Sequence, residues 1–293
     1  MKKLALLAAL AALPGCGGSG GGGGTASSTD ATLNLGVTDA PIMRGIDQIS
    51  NVFVQFHGVE LHGPSGTTTI NFDAPKQIDL LTYSGTNAAA LLEGTALPAG
   101  DYQWIRLLVD TGGTLDTYIV DGTGTHELTI PSGAQTGLKL VQGFTLAQGD
   151  IANFTIDFNI AHSLGSNASG YFLKPTLRLV DNTQAGVLIG NVSPTLITAH
   201  CSDGGSDAGA VYIYSGAVTP TDISGATTDP VTTARVTTDG TYAYTIGFLS
   251  PGSYTVAWTC DEGADDPQQV DTLNFFGTTA VTIAAHTTIS QNF

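Results

Sequence analysis

Lysine and arginine are scarce in this sequence, nine together among 293 residues against 25 Asp and Glu, and charged residues make up only 12%. Helix surfaces are normally built from Glu, Lys, Arg and Gln, so a chain this poor in charge has little from which to write solvated helices. Its abundant Gly, Thr, Ser and Asp favour strands and turns instead. The formal net charge is −16. Such a surface repels phosphate backbones and anionic headgroups, which argues against nucleic acid as a partner and against electrostatic docking on a membrane, while leaving cation binding open. Catalytic signatures are also missing: the six histidines are scattered, with no His-Glu-x-x-His, no Gly-x-Ser-x-Gly elbow and no glycine loop opening a helix. Paired carboxylates are not excluded by this, because any two Asp can meet in a fold. Sequons at Asn153, Asn167 and Asn191 are read as chance.

What is present begins with an address. Met1-Lys2-Lys3 is a basic start, and Leu4 to Leu13 is a ten-residue apolar run, too short to span a bilayer of about 30 Å. No other apolar segment is long enough to span. The run ends in Leu13-Pro14-Gly15-Cys16, which resembles a bacterial lipobox, with Pro14 in place of the usual small or hydroxyl residue. The resemblance implies cleavage before Cys16 and acylation of its thiol. Loss of Lys2 and Lys3 would take the net charge from −16 to −18. Residues 17–30 are almost entirely Gly, Ser and Thr, a flexible tether with a span of roughly 20 Å. Several acyl chains, at about 0.8 kcal/mol per buried methylene, would anchor the protein without a transmembrane helix. By resemblance to lipoprotein sorting in Gram-negative bacteria, Gly17 after the cysteine implies the outer membrane, on either its periplasmic or its cell-surface face.

Residues 31–183 read as one antiparallel β domain, a sandwich or partly closed barrel. Thr32 to Val37 alternates, Asn51 to Leu61 is a long strand broken near Gly58, and Thr67 to Phe72 and Tyr102 to Val109 follow. Ile151 to Ile160 places Phe154, Ile156, Phe158 and Ile160 on one face and Asn153, Thr155, Asp157 and Asn159 on the other, the pattern of a strand with one buried face. Phe172 to Val180 repeats it, with Pro175 marking an edge or bulge. The one helix-like piece is Thr86 to Leu92. The ordered series Val37-Thr38-Asp39-Ala40-Pro41, Val59-Glu60-Leu61-His62, Ile78-Asp79-Leu80-Leu81, Leu97-Pro98-Ala99-Gly100-Asp101-Tyr102, Ile105-Arg106-Leu107, Gly137-Leu138-Lys139-Leu140, Ile156-Asp157-Phe158 and Leu173-Lys174-Pro175 is similar to domain-of-unknown-function family 4382 of prokaryotic envelope lipoproteins. That resemblance implies fold and location and brings no activity.

Arg106 shares a strand face with Tyr102, Trp104 and Leu108, so its guanidinium needs a carboxylate. Asp39, Asp79 and Asp157 are the candidates, with Lys139 as a further member of a structural charge network. The competing reading makes Asp39 and Asp157 ligands of Ca²⁺, a hard cation that takes several carboxylate and carbonyl oxygens.

Residues 186–293 read as a second β-sandwich. Val187 to Val192, Ala210 to Tyr214 and Tyr254 to Trp258 are strands, and Ala234 to Tyr244 reads as strand, Asp239-Gly240 turn, strand. The Asp-Gly-x-Tyr turn, the Leu249-x-Pro251-Gly252-x-Tyr254 piece and the closing strand resemble carboxypeptidase-regulatory-like and collagen-adhesin B-type modules, which implies a small transthyretin-like sandwich used as a spacer or stabilising partner. No Lys and Asn pair for an isopeptide bond is evident. Cys201 and Cys260 both fall here, and export favours a disulfide over a zinc site, since two cysteines and His200 lack a full ligand set. A closed loop of about 59 residues would contribute on the order of 4 kcal/mol in the chain-entropy model. Beside Cys260, Asp261, Glu262, Asp265 and Asp266 form an acidic loop, with Asp261 and Asp265 as further Ca²⁺ candidates.

The sequence thus predicts an all-β chain with two sandwich-like domains in tandem, tethered by acylated Cys16. No catalytic residue and no cofactor is expected. The expected role is non-enzymatic, in binding or surface structure at the cell envelope, with a protein or polysaccharide partner and a membrane reached through the lipid. An exported carbohydrate-active enzyme and a Ca²⁺-dependent adhesion module are the alternatives.

Overall fold

A computed structural model describes residues 30–40, 49–131, 133, 137–201 and 207–293. Cys16, the leader, Pro41 and all of the tether except Asp30 lie outside the described residues, so the lipobox expectation is not tested by the fold. Among the described residues no helix is long and apolar enough to cross a membrane.

The protein is all-β. Around the first core run β1 (Asp30–Ala40), β2 (Asn51–Gly63), β3 (Gly66–Asp79), β4 (Ala89–Pro98), β5 (Gly100–Tyr102), β6 (Trp104–Asp110), β7 (Tyr118–Asp121), β8 (Gly124–Thr129), β9 (Leu138–Leu140), β10 (Phe144–Leu146), β11 (Ile151–Asn159), a single turn α1 (Ile160–Ser163), β12 (Leu164–Asn167), β13 (Gly170–Leu173) and β14 (Leu177–Asp181). One sheet has the order β14-β11-β1-β4; a second has β12-β13-β8-β7-β2-β6-β9, with β3 also on β2. The inward faces of the two sheets meet in one apolar cluster, where Phe56 of β2 and Phe158 of β11 touch edge to face at 6.1 Å.

Gly58 explains how β2 keeps its apolar residues inside along its length. Val52, Val54 and Phe56 face inward, and then the parity changes so that Val59 and Leu61 do. The register slips between Phe56 and Gly58 against both β3 and β6, the mark of a bulge. A Cβ at Gly58 would stand 2.5 Å from the carbonyl oxygen of Ile70, so only glycine lets the chains approach this closely. Among the described residues β3 pairs with β2 alone, and it carries Pro75 and Lys76, residues that discourage further pairing.

The second core is formed by β15 (Gly186–Asn191), α2 (Pro194–His200), β16 (Ala210–Ser215), β17 (Thr232–Arg235), β18 (Ala243–Leu249), β19 (Gly252–Thr259), β20 (Phe276–Ile283) and β21 (Thr288–Ser290). Three strands, β18-β15-β21, and four, β17-β16-β19-β20, cover a cluster centred on fully buried Trp258. Cys201, at the end of α2, is bonded to Cys260 with their Cα atoms 5.3 Å apart.

Three sequence expectations are corrected. Thr86 to Leu92 is not a helix: turn and extended residues lead into β4, because pairing with β1 and burial of Ala89, Leu91 and Leu92 outweigh the helix propensity of an Ala-Leu run. Asp239-Gly240 is not a hairpin turn, since β17 pairs with β16 and β18 with β15, placing the two strands in different sheets. The Asp239 carboxylate instead organises a corner, accepting from the Thr241 N–H and from the hydroxyls of Thr237 and Thr241. Finally, β11 is buried on both faces from Phe154 onward. Its second face meets the other core.

Candidate functional site

The polar face of β11 forms the seam between the two cores. Asp157, 3% exposed, lies opposite Arg178 of β14 in the antiparallel register. Arg178 Nε donates to Asp157 Oδ2 at 2.8 Å, and Nη2 lies 2.6 Å from the same oxygen. Arg178 Nη1 donates to the carbonyl oxygen of Phe248, in β18 of the second core, at 2.8 Å. Phe248 has φ +52°, an unusual backbone for a bulky residue, at the carbonyl that receives this bond. Beside it, Asn159 Nδ2 reaches the carbonyl of Val231 at 3.4 Å, and His162 Nδ1 stands 3.4 Å from Asp229 Oδ2. Burial lowers the His162 pKa against the pull of the Asp229 charge. Asp39, on the strand parallel to β11, accepts from the Ile160 N–H at 3.1 Å and so ties β1 to α1. Asp39 and Asp157 both border a small space closed on the other side by Thr232, Thr233 and residues 245–248.

The expected single charge network is divided among separate places. Arg106 takes Glu60 as its carboxylate, at 2.7 Å, because the two stand opposite each other on β6 and β2; none of the three Asp named from the sequence reaches it. Asp79 accepts from Asn51 Nδ2 and from the N–H groups of Val52 and Leu81, fixing the turn after β3. Lys139 lies opposite Arg106, and both cations sit over Trp104, at 4.5 and 4.9 Å.

The four Ca²⁺ candidates do not converge either. Asp39 and Asp157 are at the seam, Asp261 accepts from Asn274 N and Nδ2, and Asp265 lies elsewhere in the second core. Asp265 stands with Asp222 and Asp271, one carboxylate oxygen of each within 4.8 Å of the others. Asp222 and Asp265 are buried. Burial and the charges of Asp222 and Asp271 push Asp265 up to about 6, against the Tyr212 hydroxyl and Ile223 N–H that donate to it. Nearby, burial and the Asp207 carboxylate push Glu262 up to about 9, so it is a neutral acid at pH 7.

Two open cavities flank Phe172, in β13, and Lys174, just past the end of that strand. One of about 350 Å³ is bordered by Asn167, Ser169 and Tyr171, and one of about 330 Å³ by His162, Leu164 and Pro267; Gln268 borders both. Sequence reasoning missed these residues, and also Glu60, Arg178, Asp222 and Asp271. Strand pairing would have found Glu60 and Arg178, since each stands directly across from its ionic partner.

Fold and site define an all-β protein in which two sandwich-like cores are joined by buried polar contacts. Residues 30–175 match the family model described as Domain of unknown function (DUF4382), in agreement with the motif series above. No curated protein matches the chain. Among solved structures, the chain is similar to the Bacillus anthracis TIE protein at 12% identity and TM-score 0.22, over 90% of this chain and 34% of that one. The chain thus spans about a third of that protein's length. It is also similar to GBS52, the minor pilin of Streptococcus agalactiae, at 12% identity and TM-score 0.21, covering 89% and 94% of the two chains. BcpA, the major pilin subunit of Bacillus cereus, gives 8% identity and TM-score 0.21 over 90% and 98%.

Proposed function

We propose that this protein is a non-enzymatic lipoprotein of the cell envelope, held in the outer membrane by acylated Cys16 and acting in binding or surface structure. The observation that carries the reading is the use made of the charged side chains at the seam. A buried Asp157–Arg178 pair, linked onward to Phe248, ties the second core to the first. Such a contact suits a part that must hold two bodies in fixed relation while bearing load or presenting a surface. The second core, three strands over four, then takes the spacer role of the carboxypeptidase-regulatory-like and collagen-adhesin B-type modules. A Gly-rich tether of roughly 20 Å would keep both cores clear of the headgroups.

The test is expression of the full chain in a Gram-negative host with radiolabelled palmitate, followed by envelope fractionation and protease shaving of whole cells. Palmitate incorporation and outer-membrane recovery, both lost in Cys16→Ala, are the expected results. Label-free protein released to the soluble fraction would overturn the anchored reading.

A further inference from the structure

The cleft around Phe172 and Lys174 has the composition of a ligand site that the fold itself does not use. Its two cavities, about 350 and 330 Å³, share the wall made by Phe172, Lys174 and Gln268. Each is in the size range of small-molecule sites, and the second is bordered by Pro267 and Gln268 of the second core together with His162 of the first. Junctions between bodies are favoured places for such sites.

Three features of the wall point to one ligand chemistry. Lys174 is exposed and is held with its ammonium 5.1 Å from the centre of the Phe172 ring, and among the described residues no carboxylate pairs with it. Its exposed ammonium is available to an anion from outside. Around it stand an aromatic ring and the amides and hydroxyls of Gln268, Asn167 and Ser169, groups that meet the C–H faces and hydroxyls of a sugar. His162, nine-tenths buried, turns Nδ1 to Asp229, and its Nε2 finds no protein partner. The residue also borders the second cavity.

We infer that this cleft binds an acidic saccharide, with Lys174 receiving the carboxylate of a uronate unit and Phe172 and Gln268 flanking the ring. Uronates carry one charge per sugar, so they meet a single lysine without the dense phosphate charge that a surface of net −16 repels. The inference names the ligand class for the binding role proposed above. Its failure would leave the envelope anchoring, tested by palmitate labelling, untouched.

The experiment is calorimetric titration of the detergent-solubilised full chain with trigalacturonate, beside neutral maltotriose and a short polyglutamate peptide. Saturable binding of trigalacturonate is expected, weakening as salt rises and at least tenfold weaker in Lys174→Gln and in Phe172→Ala. Lys76→Gln, on the far edge strand, is expected to bind as the parent does, and thermal melts of all three variants separate loss of binding from loss of fold. Absence of binding to trigalacturonate, or an affinity unchanged in Lys174→Gln, would overturn the proposal. Equal affinity for polyglutamate would overturn it too, by making the cleft a peptide site.

Discussion

Arg178 and Asp157 face each other across β14 and β11 with Nη2 and Oδ2 2.6 Å apart, and the same guanidinium reaches into the second core at the Phe248 carbonyl. The Asp157 side chain is 4% exposed and that of Arg178 is 22%. Removing one partner of so buried a pair leaves an uncompensated charge, at a cost of about 3–5 kcal/mol, whereas replacing both by apolar residues of similar volume is close to neutral. Arg178→Met is therefore expected to lose about 3 kcal/mol in urea unfolding. The double variant Arg178→Met, Asp157→Leu should recover most of it. A loss below about 1 kcal/mol in Arg178→Met would show that the pair does not hold the seam.

This pair also shows where the sequence stops being legible. The alternation of β11 is plain, and so are β1, β2, β6 and most strands of the second core, because apolar side chains at every second position leave a one-dimensional trace. Thr155, Asp157 and Asn159 look in sequence like a solvated face. Only the fold reveals that another core covers them, since polar side chains buried at a junction carry no periodic mark of their own. The same holds for Arg106, whose need for a carboxylate was readable while the choice of Glu60 depended on register. The Asp239-Gly240 pair misled for a related reason: a local turn signal does not state which sheet each flanking strand joins. Ser193 before Pro194, by contrast, is a local N-cap and first-turn signal that marks the start of α2 in the sequence itself.

Glu262 gives the chain a pH dependence of definite sign. Burial, with the Asp207 carboxylate beside it, raises its pKa to about 9, above the ordinary value of 4.5. The folded state then holds a proton that the unfolded state releases, so this group's effect is neutral below about pH 4.5, and stability falls as pH rises from there towards 9. Glu262→Gln removes the ionisable group and keeps the size. It should stabilise the protein at pH 8 by on the order of 2–4 kcal/mol and flatten the slope between pH 5 and 9. Melting curves across that range decide it, and an unchanged slope in the variant would place the dependence elsewhere. Asp265, raised to about 6, adds to the fall only between its ordinary value and about pH 6.

The Cys201–Cys260 bond closes a loop over 59 positions and fastens the end of α2 to the end of β19. Its contribution in the chain-entropy model is about 4 kcal/mol, chiefly by restricting the unfolded chain. The Cys201→Ser, Cys260→Ser variant is expected to lose about that much in guanidinium unfolding while keeping its β-sheet circular dichroism at low temperature. Parent protein treated with dithiothreitol under unfolding conditions should refold to the same reduced stability. If the oxidised and reduced proteins melt together, the bridge adds nothing to the second core.

Gly190 marks the tightest approach in the second core. It lies in the middle strand β15, between β18 and β21, where a Cβ would run into the backbone carbonyl of Gln291 and stand 2.7 Å from the ring of Tyr244. The Tyr244 hydroxyl donates to that same Gln291 carbonyl at 2.6 Å, so neither obstacle can move without giving up a hydrogen bond. The Gln291 N–H donates to Ile189 and the Phe293 N–H to Asn191, which fixes the last strand to β15 through backbone bonds. A methyl group at position 190 must therefore displace β21 or bend β15. Overpacking of this kind costs about 1–3 kcal/mol, and backbone obstacles put Gly190→Ala at the upper end. Amide hydrogen exchange should show the loss first in residues 288–293, ahead of β16 and β19 in the opposite sheet. Uniform loss of protection across both sheets would mean that β21 is part of the cooperative core and not its replaceable edge.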